Sequence, residues 1–137
     1  MPVRYLLDTN IASYAIKGNF PQVRKRLLEV PMSEVGISAV TEAELRFRAA
    51  RKAASPQLTL AVEEFLLRVE ILPWDSEGAK HYGGLRVTLV DSGAPMGNLD
   101  MMSAAHALAA GTTLITHDRV FRRVKGLPTE DWTNPES

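Results

Sequence analysis

Short apolar runs alternate along this chain with stretches whose apolar residues recur at helical spacing. Val3 to Leu7 has the continuous apolar character of a short buried strand, and it runs directly into Asp8-Thr9-Asn10. Ile11 to Lys17, closed by Gly18, predicts a short helix with a glycine stop. "FPQVRKRLLEV" places Val23, Leu27 and Leu28 at helical spacing before Pro31, "EVGISAV" is strand-like, and "TEAELRFRAARKAA" is a helix. Pro56 breaks that helix, and "QLTLAVEEFLLRVE" is a further amphipathic one, with Leu60, Phe65, Leu66 and Val69. "VEILPW" reads as a strand stopped by Pro73. The stretch from about Asp75 to Asp91 is helical in pattern despite Gly83-Gly84, which weakens it. After the loop "DSGAPMGN" come a helix, "LDMMSAAHALAAG", with a glycine C-cap, and a strand, "TTLIT". "HDRVFRRV" adds a helical turn or two, "LPTEDW" a late edge strand, and "TNPES", residues 133–137, a polar tail.

Strands separated by helices predict an α/β fold with a mainly parallel sheet covered on both faces. In such sheets ligands bind beyond the carboxyl ends of the strands, which is where chemistry is to be sought. With 137 residues, no internal repeat and no linker-like tract, the chain is expected to form a single domain, 1–137. It has no cysteine, so disulfides and thiolate metal sites are excluded. No signal-peptide core and no apolar run of membrane-spanning length is present, and the expectation is a cytoplasmic, soluble protein.

Sixteen basic and sixteen acidic residues cancel, which argues against a protein that simply coats nucleic acid. The basic residues are grouped, however: Arg24-Lys25-Arg26; Arg46, Arg48, Arg51 and Lys52; and Arg119, Arg122, Arg123 and Lys125. Each group is either a solvated helix face or a local attractor of phosphate.

Four acids stand at predicted strand ends or helix starts: Asp8, Glu44, Asp100 and Asp118. Each has an ordinary structural reading. Asp8 and Asp100 are good N-caps, Asp118 suits an Asx turn, and Thr41 to Glu44 has the form of a capping box. Thr9 or Asn10 could supply the first cap instead, which would free Asp8. Collected in one crevice, the four would repel one another, shift their pKa values or need a cation. All-oxygen ligands favour Mg²⁺ or Mn²⁺ over zinc, and such an ion can activate water for phosphodiester cleavage. His81, His106 and His117 lack metal-ligand spacing; His106 reads as a packed core residue and His117 as a neighbour of the acids. Trp74 and Trp132 read as edge-of-core residues, and Arg86 as a surface residue or a carboxylate's partner.

"YLLDTNI", "ISAVTEAEL", "SGAPMGNLDMMSAAHALAAG" and "LITHDRVFRRV" with "LPTEDW", in that order over nearly the whole chain, resemble the PIN-domain ribonucleases. The closest likeness is to the VapC toxins of type II toxin–antitoxin modules. The resemblance implies a three-layer α/β/α sandwich and a Mg²⁺- or Mn²⁺-dependent endoribonuclease whose carboxylates hold a metal that activates water. It makes Asp8 and Asp100 direct metal ligands, gives Glu44 and Asp118 a second metal or the water, and lends Thr116 and Asn10 supporting roles. It further implies an RNA substrate (tRNA or another structured RNA), a VapB-like antitoxin and a homodimer. Arg48 stands where relatives often carry glycine, and position 118 is often Asn. Two rivals remain: a non-catalytic PIN-like module that binds RNA or a partner, against which the full set of acids argues, and a phosphohydrolase using Asp8 as nucleophile, for which "DTN" lacks the D-x-D spacing.

Overall fold

The computed structural model describes residues 2–135; of the expected polar tail, residues 136 and 137 therefore lie outside the described residues. Five short strands, β1 (Tyr5–Leu7), β2 (Val35–Ser38), β3 (Glu70–Leu72), β4 (Thr113–Ile115) and β5 (Thr129–Glu130), form one sheet in the order β3-β2-β1-β4-β5. Every pairing is parallel. Six helices accompany them: α1 (Thr9–Lys17), α2 (Pro21–Glu29), α3 (Ala39–Ala50), α4 (Pro56–Arg68), α5 (Ser76–Asp91) and α6 (Asn98–Ala110).

Alternation along the strands sorts the core into two layers. Leu7, Ile37 and Ile115, in register across β1, β2 and β4, point to one face, where Ile11, Val23, Leu45 and Leu66 of α1 to α4 cover them. Leu6 and Leu114 point to the other, under Leu89 of α5 and Met101 and Ala104 of α6. This is the expected α/β/α sandwich. The helix through Gly83-Gly84 is unbroken, because Tyr82, Leu85 and Leu89 on either side pack into the second layer. Gly18 and Gly111 end α1 and α6 with φ of 75° and 67°, a left-handed conformation that a side chain would strain. Pro56 does not stop α3, which already ends at Ala50; it is the first residue of α4, with Ser55 Oγ accepting from the Leu58 amide.

Trp132 is a correction to the sequence reading. It is fully buried, not at the core's edge, with Tyr5 edge-on at 5.2 Å and the Arg26 guanidinium 5.1 Å above its ring. Trp74 is half-buried against His106 and Tyr82. His106 is the packed histidine expected, with Nδ1 2.6 Å from Ser38 Oγ, and burial pushes its pKa down. Arg86 is exposed and bonds Tyr82, not a carboxylate. Among the described residues no helix is long and apolar enough to cross a membrane.

Candidate active site

The strand order places β1 in the middle. The chain moves outward to β2 and β3 on one side, then returns to lay β4 and β5 on the other. The order therefore reverses between β1 and β4, and a crevice opens there at the carboxyl ends of the strands. Asp8 is the residue after β1 and Thr116 the residue after β4. The ladder continues one step past the strands, with the Asp8 amide donating to Ile115 O at 3.0 Å and the Thr116 amide to Glu130 O at 2.9 Å. That step sets Asp8 beside Thr116.

Asp8 both caps a helix and faces the crevice. Its Oδ1 accepts from the Ile11 amide at 2.8 Å, so α1 begins at Thr9, and neither Thr9 nor Asn10 supplies the cap. Only one oxygen is used in this way. The side chain is buried, and burial pushes its pKa up to about 6. The Thr116 hydroxyl and the Ile11 amide oppose that rise, while the charges of Asp100 and Asp118 add to it.

The capping box at Thr41 is also corrected. Ser38, the last residue of β2, caps α3 by accepting from the Val40 amide at 3.0 Å, so the helix starts three residues earlier than Thr41 would start it. The β-like "ISAV" hides this boundary, because Val40 is buried whether it belongs to a strand or a helix. Glu44 thus lies well inside the helix and reaches no backbone amide at its start. Thr9 Oγ1 donates to Glu44 Oε1 at 2.6 Å, with Thr41 Oγ1 3.2 Å from Thr9 Oγ1. Glu42, two residues earlier, turns away and pairs with Arg46 at 2.9 Å.

Gly97, not Asp100, occupies the cap position of α6, and Asp100 sits in the first turn. Its pKa is raised by burial and then by Asp118 and Glu44. Asp118 makes the predicted Asx turn, accepting from the Val120 amide at 2.9 Å, and its own amide donates to Thr116 Oγ1 at 3.0 Å. "HDRVFRRV" contributes a 3-10 turn over Arg119–Arg123. Asp8 thus feels Asp100 and Asp118, and Asp100 feels Asp118 and Glu44, so all four acids share one electrostatic neighbourhood. Asn10 is exposed, and its Oδ1 takes Arg48 Nη2 at 3.4 Å, outside the acids' own contacts. Thr9 and Ser38 are the positioning residues that sequence reasoning missed; their only sequence signal is a hydroxyl beside each strand end.

The donors are all hard oxygens, which suit Mg²⁺ or Mn²⁺. Among the described residues no three acidic or histidine side chains are drawn together closely enough to hold an ion by themselves.

Comparison with known proteins agrees with this geometry. The PIN domain family model matches residues 5–127. The chain is 39% identical over 133 residues to the tRNA(fMet)-specific endonuclease VapC of Shigella flexneri, covering 96% of this chain and 99% of that one. The structure of DNA-bound VapBC from Salmonella typhimurium superposes with a TM-score of 0.88 at 34% identity, covering 95% of this chain and 98% of that one. VapBC2 from Rickettsia felis, bound to a promoter DNA fragment, gives a TM-score of 0.86 at 32% identity, covering 95% and 99%. A sheet that reverses its order at a crevice of four acids, and a likeness that runs nearly end to end, lead to one assignment: the chain belongs to the PIN-domain family, in its VapC branch.

Proposed function

We propose that this VapC-type endoribonuclease, the toxin of a type II toxin–antitoxin pair, cuts RNA by hydrolysis at a hard divalent cation held by Asp8 and Asp100. The observation that supports this most is Asp8: a buried carboxyl to which, among the described residues, no cationic side chain is bonded, pushed up to about 6 by burial and by neighbouring acids. A cation would relieve that repulsion and bring the side chain into its charged form. When bound, it supplies positive charge to a phosphoryl oxygen and makes water more acidic. Asp8 is fixed by its cap bond to Ile11, Glu44 by Thr9, and Asp118 by its Asx turn. Positioning of this kind lowers the barrier without any covalent intermediate on the protein. Glu44 and Asp118 orient the attacking water or take a second ion, and Thr116 holds the two sides of the crevice together through Asp8 and the Asp118 amide.

The named substrate of the Shigella relative makes tRNA the first RNA to test, and the VapBC structures make a VapB-like antitoxin the expected partner of a cytoplasmic homodimer. An apolar groove of about 720 Å³, lined by Leu27, Leu28, Met32 and Phe65 between α2 and α4, gives an antitoxin a place to dock. Leu28, 89% exposed, otherwise stands in water.

The test is cleavage of total RNA and of tRNA by the partner-free protein, with and without Mg²⁺ or Mn²⁺, beside Asp8→Asn. Metal-dependent cutting that Asp8→Asn lowers by roughly 10²–10³-fold is expected. Cutting that persists in excess EDTA, or that runs at the parent's rate in the substituted protein, overturns the mechanism; no cutting of any RNA pool favours a binding module.

A further inference from the structure

The fold sorts the three basic groups by use. Arg24 donates to the carbonyls of Ala15 and Ile16, Arg26 pairs with Glu130, Arg46 with Glu42 and Glu63, and Arg123 bonds Pro95 O. These cations hold the protein together. Arg119 and Arg122, like Lys25, Lys52 and Lys125, are exposed, and among the described residues no hydrogen bond or ion pair engages them; the two arginines are set apart by where they stand. They line a polar cleft of about 650 Å³ that also takes in Thr116 and Asp118, so the cleft is continuous with the acidic crevice.

The same cleft has an aromatic part. Phe20 and the His117 imidazole meet with ring centres 5.9 Å apart at 45°. Phe20 is backed by Tyr14 at 4.6 Å. The His117 ring is locked at one edge, where Nδ1 donates to Asp131 Oδ2 at 2.7 Å and Thr133 Oγ1 lies 3.0 Å away. Thr133 in turn donates to Asp131 Oδ1 at 2.6 Å. This clasp fixes the ring's orientation while leaving a face open to the cleft. Of the acids lining the cleft, Asp131 is engaged by His117 and Thr133, Glu130 by Arg26 and the Trp132 indole N–H at 3.0 Å, and Asp118 accepts from the Val120 amide. Arg119 and Arg122 are therefore the charges left to meet a ligand. Two unengaged guanidiniums and a pair of ordered aromatic rings lining one cleft match a nucleotide whose base has left its stack.

We infer that the cleft formed by Phe20, His117, Arg119 and Arg122 is a subsite for one unstacked nucleotide of single-stranded RNA next to the bond that is cut. The base lies on the His117 and Phe20 rings, and the adjoining phosphate is held by the two arginines. This rests on the proposed nuclease reading for the reaction, but not for the binding itself.

The test measures binding without cleavage. A short fluorescein-labelled single-stranded RNA of mixed sequence is titrated by anisotropy in EDTA, with Asp8→Asn as the common background. His117→Ala is expected to weaken binding by roughly 5- to 150-fold, the range for losing one base–aromatic stack, and His117→Tyr to recover most of it. Arg119→Gln with Arg122→Gln is expected to lower the slope of log affinity against log salt by about 0.7, one phosphate's worth on a single strand. Melting curves confirm that each variant is folded. Unchanged affinity in His117→Ala, no recovery in His117→Tyr, an unchanged salt slope, or equal binding of a duplex of the same sequence would each overturn the subsite. The two readings fail separately. Metal-independent cleavage refutes the cation site and leaves these affinities standing, whereas insensitivity to His117 refutes the subsite with the cation site intact.

Discussion

Asp8 and Glu34 are two carboxylates with the same burial, each 6% exposed, at opposite ends of the same sheet. Glu34 ends the 3-10 turn that feeds β2, at the amino ends of the strands, and Arg4 pairs with it at 3.2 Å. Asp8 lies at the carboxyl ends, where its neighbours are two more acids and its pKa is pushed up to about 6. Equal burial thus comes with opposite surroundings. At one end of the sheet the buried charge is matched within the chain; at the other the fold withholds the match and adds like charge. A carboxylate that destabilises its own fold marks a place where something from outside is expected to supply the positive charge.

The largest effect that sharpens this contrast is on catalysis. Asp8→Asn should lower RNA cleavage by roughly 10²–10³-fold, the scale for removing one preorganised electrostatic group, while Glu34→Gln leaves the rate unchanged. Single-turnover cleavage of a tRNA substrate checks both.

Stability should move the other way. In the unfolded chain Asp8 titrates near 3.8 and in the native state at about 6, so across that window the native state binds the proton more tightly. Metal-free stability from this group is therefore greatest at low pH and falls as pH rises from about 4 to about 6, a loss of roughly 3 kcal/mol. Asparagine still caps α1 and carries no charge. Asp8→Asn should thus be more stable than the parent by about 2–3 kcal/mol above pH 7 and nearly equal to it at pH 4, as read from urea unfolding at the two pH values.

Next in size, Ser38→Ala removes the α3 cap and the partner of His106 Nδ1, and should cost about 1–2 kcal/mol in the same unfolding experiment. Smallest is Glu34→Gln, at about 1 kcal/mol or less, because Arg4 is largely exposed and its pairing is screened by solvent. A Glu34→Gln that stabilises the protein, or an Asp8→Asn that destabilises it, would break the comparison.

The layers of the fold were legible in the sequence, because alternating strand and helix periods are local. So was the set of four acids, although Glu44 lies well inside α3 and not at its start. What the sequence reading misplaced depends on which chain segments meet. Ser38 and Thr41 are equally good caps by composition, and the choice fell to Ser38 because it ends the pairing of β2 with β3. Trp132 looks like an edge residue until β5 joins β4 and swings it over Tyr5. The sequence offers Asp8 as a cap or as an acid free to face the crevice, and in the structure it is both, with one oxygen on the Ile11 amide. Thr9, read only as a possible cap, instead steadies Glu44 from thirty-five residues away in sequence.

The most direct test of the central claim is calorimetric titration of Mn²⁺ into the partner-free protein, Glu34→Gln and Asp8→Asn at neutral pH. The cation site at the carboxyl ends of the strands predicts saturable binding of equal affinity in the parent and Glu34→Gln, and its loss in Asp8→Asn. Equal binding in all three proteins, or none in the parent, would contradict it.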